Sequence, residues 1–279
     1  MPFCKVTKAN IYYEEYGTGT PIVMIHGFSP DHRLMKGCME PIFQEREGYR
    51  RIYLDLPGMG QTKDYEEIQD TDEMLEAVIE LIDNMLLKQE FLIAGESYGG
   101  YITRGIIAKM PERVRGAAFI CPMIIPAHAE RTLPEHANLQ VDHDFLATLT
   151  KEEREDFSGI QVVLNEYNWK RYKEEVVAGL KVADSEQLEK ISRAYGFTFP
   201  IDQIEFLKPC VFLVGRQDHI TGYQDAYNIL DKYPRATLSI LDTAGHNLQI
   251  EQAELLNAHV KEWLNRVDCY SKQALKMNT

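Results

Sequence analysis

Residues 91–107 constrain this chain more than any other stretch. They run Phe91-Leu92-Ile93-Ala94, then Gly95-Glu96-Ser97-Tyr98-Gly99, then place Tyr101, Ile102, Ile106 and Ile107 at helical spacing. A short apolar run bounded by turn residues reads as a buried strand, and the spacing after it reads as a helix. The chain must therefore reverse from strand to helix within a few residues, and the glycines are needed because such a turn leaves no room for side chains beside the serine. Ser97 is thereby forced into a strained, exposed position. At the start of a helix it also lies beside free backbone N–H groups and the positive end of the helix dipole, which favour a developing oxyanion. A bare G-x-S-x-G pattern is common in ordinary turns; the strand before it and the helix after it give this one its weight.

The same alternation organises most of the chain. Strand-like runs fall at residues 11–16, 22–25, 51–54, 91–94, 114–121, 211–214 and 238–241. Helical patterns lie between them, the clearest over 71–87, where Met74, Leu75, Val78, Leu81, Ile82, Met85 and Leu86 follow an Asp70-Thr71-Asp72 cap. Parallel strands need crossovers of this kind, so the expected fold class is α/β: a mostly parallel central sheet with helices on both faces and an N-terminal antiparallel hairpin at one edge. The alternation fails between about 123 and 205, where the sequence turns polar and helical without a buried-strand run. The expected division is a catalytic core of residues 1–122 and 206–279 with an inserted helical cap, or lid, over 123–205. The tail beyond Arg266 has too little apolar periodicity to assign and reads as a frayed terminus.

Composition narrows the partners. The 279 residues carry a formal net charge of -13, which disfavours nucleic acid and anionic membranes. The five cysteines are scattered and contain no CxxC pair, pointing to a reducing, cytoplasmic setting rather than a disulfide framework. No run has signal-peptide or membrane-spanning character. A small-molecule substrate is the expected partner, and a homodimer is the one assembly considered.

A serine hydroxyl needs a base, and among eight histidines His246 stands out. It follows the last strand on the loop Gly245-His246-Asn247, which leads into the C-terminal helix, and sites of such sheets form at the C-terminal strand ends. The base in turn needs an acid to hold its tautomer. Asp218, in Gly215-Arg216-Gln217-Asp218 after the strand Val-Phe-Leu-Val, has that placement; Asp225, inside a helical pattern, and Asp242, nearer His246, are its competitors. His26 reads as a loop-packing residue. His128, His136 and His143 match no zinc spacing, and the Gly58-Met59-Gly60 stretch lacks phosphate-loop spacing, so no metal or cofactor is expected.

Taken together, His26-Gly27-Phe28, the run from Asp55 to Thr62, the GESYGG elbow, the turn from Gly215 to Asp218 and Gly245-His246 resemble the α/β-hydrolase superfamily. The likeness is to its lid-bearing members, which include esterases, carbon–carbon bond hydrolases and proline iminopeptidases. The matching residues span nearly all of the core. The resemblance implies an oxyanion hole formed by the backbone N–H groups of Phe28 and Tyr98, with both residues also at the substrate. It further implies a triad of Ser97, Asp218 and His246 working through an acyl-enzyme on an ester or related acyl bond. A serine at the nucleophile position sets the chain apart from the dehalogenases and epoxide hydrolases of the superfamily, which use aspartate there. Trp169 is taken as a substrate-binding residue from the cap aromatics Tyr167, Trp169, Tyr172, Tyr195, Phe197 and Phe199, which could equally form the cap's own core. Two other readings stay open. One is an aminopeptidase of the proline iminopeptidase type, drawing on cap carboxylates such as Glu130, Glu135, Glu166, Glu174 and Glu175. The other is a non-hydrolytic small-ligand receptor on the same scaffold.

Overall fold

The computed structural model describes the backbone of residues 2–277 and the side chains of residues 2–270. Ten strands occur in chain order: β1 (Phe3–Val6), β2 (Ala9–Tyr16), β3 (Thr20–Ile25), β4 (Tyr49–Leu54), β5 (Phe91–Glu96), β6 (Val114–Ile120), β7 (Gln140–Val141), β8 (Val163–Leu164), β9 (Cys210–Gly215) and β10 (Ala236–Leu241). Eight of them form one sheet in the order β1-β2-β4-β3-β5-β6-β9-β10. Only β1 with β2 and β2 with β4 pair antiparallel; the remaining neighbours are parallel. The hairpin at the edge is β1–β2, and β2 joins the sheet through β4 rather than through its sequence neighbour β3.

The helices are α1 (His32–Phe43), α2 (Thr71–Leu86), α3 (Tyr98–Lys109), α4 (His143–Leu146), α5 (Lys151–Ile160), α6 (Glu166–Tyr172), α7 (Ala178–Leu180), α8 (Ser185–Arg193), α9 (Gln224–Asn228), α10 (Leu248–Glu251) and α11 (Ala253–Met277). Asp70 caps α2 by accepting the Glu73 N–H at 2.8 Å. Successive side chains of a strand face opposite ways, and the strands divide accordingly. Val23 and Ile25 of β3, with Phe212 and Val214 of β9, enter one apolar cluster, closed by Met74, Val78 and Leu81 of α2 and Ile102 and Ile106 of α3. Ile22, Met24, Val211 and Leu213 enter the other, closed by Leu34, Met35 and Met39 of α1 and Val260, Trp263 and Leu264 of α11. Helices thus cover both faces, which is why the parallel strands read as unbroken apolar runs.

Between β6 and β9 the chain leaves the sheet and builds α4 to α8. This segment is not purely helical: β7 and β8 pair in parallel, too briefly for a period-2 pattern to be visible in the sequence. Phe157, Trp169 and Tyr172 pack together in it and continue the apolar cluster that α1 and α11 close. The segment is fastened to the sheet body by Tyr195 stacked on Tyr98, with ring centroids 4.9 Å apart, and by the Gln187 amide donating to the Ile68 carbonyl at 2.7 Å. Arg104 of α3 adds a buried ion pair with Asp202 and donates to the carbonyls of Met123 and Ile124.

From Val267 to Met277 the tail is helical rather than frayed, and residues 278–279 lie outside the described residues. It continues α11 to Met277, and buried Val267 extends the stripe begun by Trp263 and Leu264 by one turn. Beyond it the apolar spacing thins, which hid the helix. No helix among the described residues is long and apolar enough to cross a membrane.

Trp263 has no exposed surface and its indole N–H donates to the Pro209 carbonyl at 2.9 Å, joining α11 to the start of β9. Trp263→Ala is expected to lower folding stability by about 3–5 kcal/mol, read as a drop in the urea midpoint at unchanged slope.

Candidate active site

β5 ends at Glu96 and α3 starts at Tyr98, so Ser97 is the whole turn between them, with φ 51° and ψ -116°. An L-residue with positive φ is strained, and the packing around Ser97 holds it there. A Cβ at Gly95 would stand 2.3 Å from the Gly99 carbonyl oxygen, and one at Gly99 would stand 2.2 Å from that of Ile25. Both contacts are with backbone, so neither can yield to a side chain. The first turn of α3 therefore lies directly against the end of β3.

His246 lies on the loop between β10 and α10. Its Nε2 is 3.0 Å from Ser97 Oγ and its Nδ1 is 3.1 Å from Asp218 Oδ2. The loop is fixed from several sides: Glu251 accepts the Gly245 N–H, and Gln217 Oε1 accepts the Ala244 N–H. Glu251 also accepts the N–H groups of Val162 and Val163, so the same carboxylate ties the inserted segment to the histidine loop.

Asp218, with no exposed surface, follows β9 and has its lone pairs fully used. Oδ1 accepts from the Ile220 and Thr221 amides, and Oδ2 accepts from the Thr221 hydroxyl at 2.7 Å as well as from the imidazole. Burial alone would raise its carboxyl, but the charge and hydrogen bond of His246 and the donors of Thr221 hold it at about 2. Burial would likewise lower the His246 imidazolium. The charge and hydrogen bond of Asp218, with the charge of Glu96 added, outweigh that and lift it to about 9. Of the competing acids, Asp225 of α9 accepts the Thr132 N–H, and exposed Asp242 accepts from the Gln217 amide.

Phe28 and Ser29 lie just past β3. His26, completely buried, bridges there: Nδ1 donates to the Gly27 carbonyl and Nε2 accepts the Leu56 N–H at 3.0 Å, joining the turns after β3 and β4. The backbone N–H groups of Phe28 and Tyr98 have no hydrogen-bond partner among the described residues. Two lobes of a cleft meet at Ser97, and Phe28, Ile160 and His246 belong to both. The larger, about 900 Å³, is walled by Met123, Arg131, Tyr195, Ile220 and Thr221. The smaller, about 470 Å³, is walled by Pro30, Leu34, Glu96, Tyr172 and Val176.

Two expected substrate contacts lie elsewhere. Trp169 packs with Phe157 and Tyr172, and its open edge lines a separate outer groove with Lys170 and Lys173. The Tyr98 side chain is buried, with its hydroxyl 2.9 Å from that of Thr71, and Tyr195 covers its ring. Tyr195 and Tyr172 are the cap aromatics that reach the cleft. Three further residues at the site escaped the sequence reading: Thr221, Ile160 and Glu96. Glu96 alone had a visible signal, a charged residue inside the elbow itself.

His128, His136 and His143 do not converge; His136 instead meets His219, at 3.2 Å between their Nδ1 atoms. Asp31, His32 and Asp55 bring potential metal-ligand atoms within 4.8 Å of one another. Their lone pairs are engaged, however: Asp55 accepts from His32 and the Gln61 amide, and Asp31 from Arg33.

Residues 20–253 match the sequence model of the alpha/beta hydrolase fold. A crystal structure of an alpha/beta superfamily hydrolase from Oenococcus oeni superposes with a TM-score of 0.88 at 30% identity, covering 96% of this chain and 100% of that one. A pimeloyl-[acyl-carrier protein] methyl ester esterase of Legionella pneumophila is 25% identical over 91% of this chain and 99% of its own length. The dihydrolipoyllysine-residue acetyltransferase component of the acetoin cleaving system of Pseudomonas putida is 26% identical over 89% of this chain, which spans 64% of that protein.

Asp218 is the first source of charge raising the His246 imidazolium, so Asp218→Asn should lower its pKa from about 9 by more than one unit. The imidazole ring would then lose its second proton at lower pH, as followed by NMR titration of its ring nitrogens.

Proposed function

The chain belongs to the α/β-hydrolase fold family, and on that premise we propose that it is a serine hydrolase that cleaves an ester or related acyl bond of a small molecule. The observation that carries this reading is the unbroken line from Asp218 Oδ2 through His246 to Ser97 Oγ, with contacts of 3.1 and 3.0 Å. Nucleophile, base and orienting acid must stand within hydrogen-bond reach in this order, and here each comes from a different strand end.

In the reaction, His246 takes the Ser97 proton at Nε2 as the oxygen attacks the substrate carbonyl carbon. The free amides of Phe28 and Tyr98 are the donors left to hold the oxyanion. In enzymes where one such donor has been removed, the loss was about 3 kcal/mol of transition-state stabilisation. His246 then gives its proton to the leaving alcohol and later activates water to release the acyl group. Asp218, already ionised, keeps the remaining imidazole proton on Nδ1 throughout.

The cleft bears on the substrate. With a lobe on each side of Ser97, the ester should carry a sizeable group on both its acyl and its alcohol side, and the walls favour apolar ones. The Legionella relative, named for cleaving a methyl ester, supports an ester over an amide. The aminopeptidase reading needs carboxylates around a free amino terminus; of the five cap candidates Glu130 alone lines the cleft, while Glu155 and Asp156 of the inserted segment reach the opposite, smaller lobe. Glu175 is paired with Arg171, Glu166 and Glu174 line the outer groove, and Glu135 is exposed.

A fluorophosphonate probe is expected to label Ser97, as located by peptide mass. Labelling should vanish in Ser97→Ala and fall steeply in His246→Ala. Asp218→Asn should cut ester turnover by roughly 10⁴-fold, the loss seen where such an acid holds the tautomer. A folded protein that takes no label while binding a small ligand would replace this reading with a receptor.

A further inference from the structure

One buried acid beside the nucleophile has no part in the relay just described. Glu96, the residue before Ser97, is 2% exposed, and its Oε1 lies 3.4 Å from His246 Nε2, the nitrogen that also meets Ser97 Oγ. The Gly27 backbone amide lies on its other side and opposes a small part of the rise that burial causes. A Cβ at Gly27 would stand 2.2 Å from Glu96 Oε2, so the carboxylate fills the space that the glycine leaves and is held toward the imidazole. No lysine or arginine pairs with Glu96 among the described residues. His246 is the cation it faces, with Asp218 beyond. The buried thiols of Cys38 and Cys121 and the phenol of Tyr195 are the other titratable groups that feel its charge. Glu155 and Asp156 reach the same lobe from α5, and Arg131 acts weakly on the histidine from the other lobe.

We propose that Glu96 is a positioning residue that acts through His246: as a carboxylate it holds the proton on Nε2, keeping the histidine in its non-basic form, and so sets the pH above which Ser97 can be activated. The inference rests on the serine-hydrolase reading of the site.

The geometry gives the reason. When the imidazole carries a proton only on Nδ1, toward Asp218, the Nε2 lone pair accepts the Ser97 hydroxyl, and an ionised Glu96 then sets a lone pair against a lone pair. When Nε2 is protonated, its N–H meets Ser97 Oγ at 3.0 Å, and the Glu96 carboxylate, 3.4 Å from the same nitrogen, attracts the added charge. Glu96 therefore favours the imidazolium, which forms during acylation but is useless as a base beforehand. Activation requires that proton to leave Nε2 for water. The raised titration of both groups agrees: burial is the main cause for Glu96, at about 7, and Glu96 adds to Asp218 in raising His246. Groups this close release protons as a pair.

The test is the rate of fluorophosphonate labelling of the full chain as a function of pH, which needs no knowledge of the natural substrate. Wild type should show a rising limb with its midpoint above the usual histidine range. Glu96→Gln keeps the size and the fit against Gly27 but removes the charge. Its midpoint should fall by one unit or more, so that well below the midpoint it labels about tenfold faster relative to its own plateau. An unchanged midpoint would overturn the proposal and leave Glu96 a space-filling residue. If Glu96→Gln does not fold, NMR titration of the His246 ring in wild type decides. Two steps, one reporting the ionisation of Glu96, are expected, and a single step overturns it. Wild type that takes no label at any pH would sink the hydrolase reading instead, and the NMR titration would still judge the Glu96–His246 contact.

Discussion

At Gly99 the first turn of α3 comes so near the end of β3 that a single added carbon would meet the Ile25 carbonyl at 2.2 Å. That approach holds Ser97 at positive φ, because the helix cannot back away without unpacking Ile102 and Ile106 from the cluster shared by β3 and β5. It also brings the ends of the two strands together, and the amides of Phe28 and Tyr98, which follow those ends, have no hydrogen-bond partner among the described residues. The local strain at the serine is thus held by the packing of the whole sheet, the usual arrangement for a residue kept in an unfavourable conformation.

Around this turn the site is built from charge as much as from shape. His246 stands between two buried carboxylates, one at each ring nitrogen, in a chain whose overall charge is already -13. The two acids are solvated differently. Asp218 is surrounded by donors, including two backbone N–H groups and the Thr221 hydroxyl, and stays ionised well below the usual carboxylate range. Glu96 is met by no comparable set of donors, only by the nearby Gly27 amide and the charge of the imidazole, and burial raises it. Equal side-chain chemistry therefore serves different ends, decided by how many donors the fold points at each carboxylate.

The elbow, the six parallel strands and the long helix α2 could be read from the residues because each rests on a local pattern: a short apolar run, a capped helical period, glycines where two backbones must touch. Ser97, Asp218 and His246 were legible for a related reason, since each follows its own strand and the strand order places those ends on one edge. The pairing of β2 with β4, the β7–β8 pair and the helical tail were not. The first depends on which edge remains free, the second involves only two residues from each strand, and the last lacks a strong stripe. Trp169 shows the limit most plainly. Nothing in the polar context of residues 166–172 distinguishes an aromatic that faces a cleft from one that faces Phe157, and the structure turns it to Phe157.

The amino-acid sequence by itself determined that a strand must turn into a helix at a serine and that parallel strands with helices on both faces must carry it. It also determined which histidine and which acid follow the right strands. Only the tertiary structure decided that Tyr195 and Ile160 wall the cleft, that Thr221 braces the acid, that Glu251 ties the insertion to the histidine loop, and that Glu96 points at His246. The physical reason is range. Periodicity, caps and glycine turns act between residues close in the chain, whereas the cleft walls, the Glu251 tie and the Glu96–His246 approach join residues far apart in sequence, and the short Thr221–Asp218 bond depends on a hydroxyl also held by the distant Cys121 carbonyl.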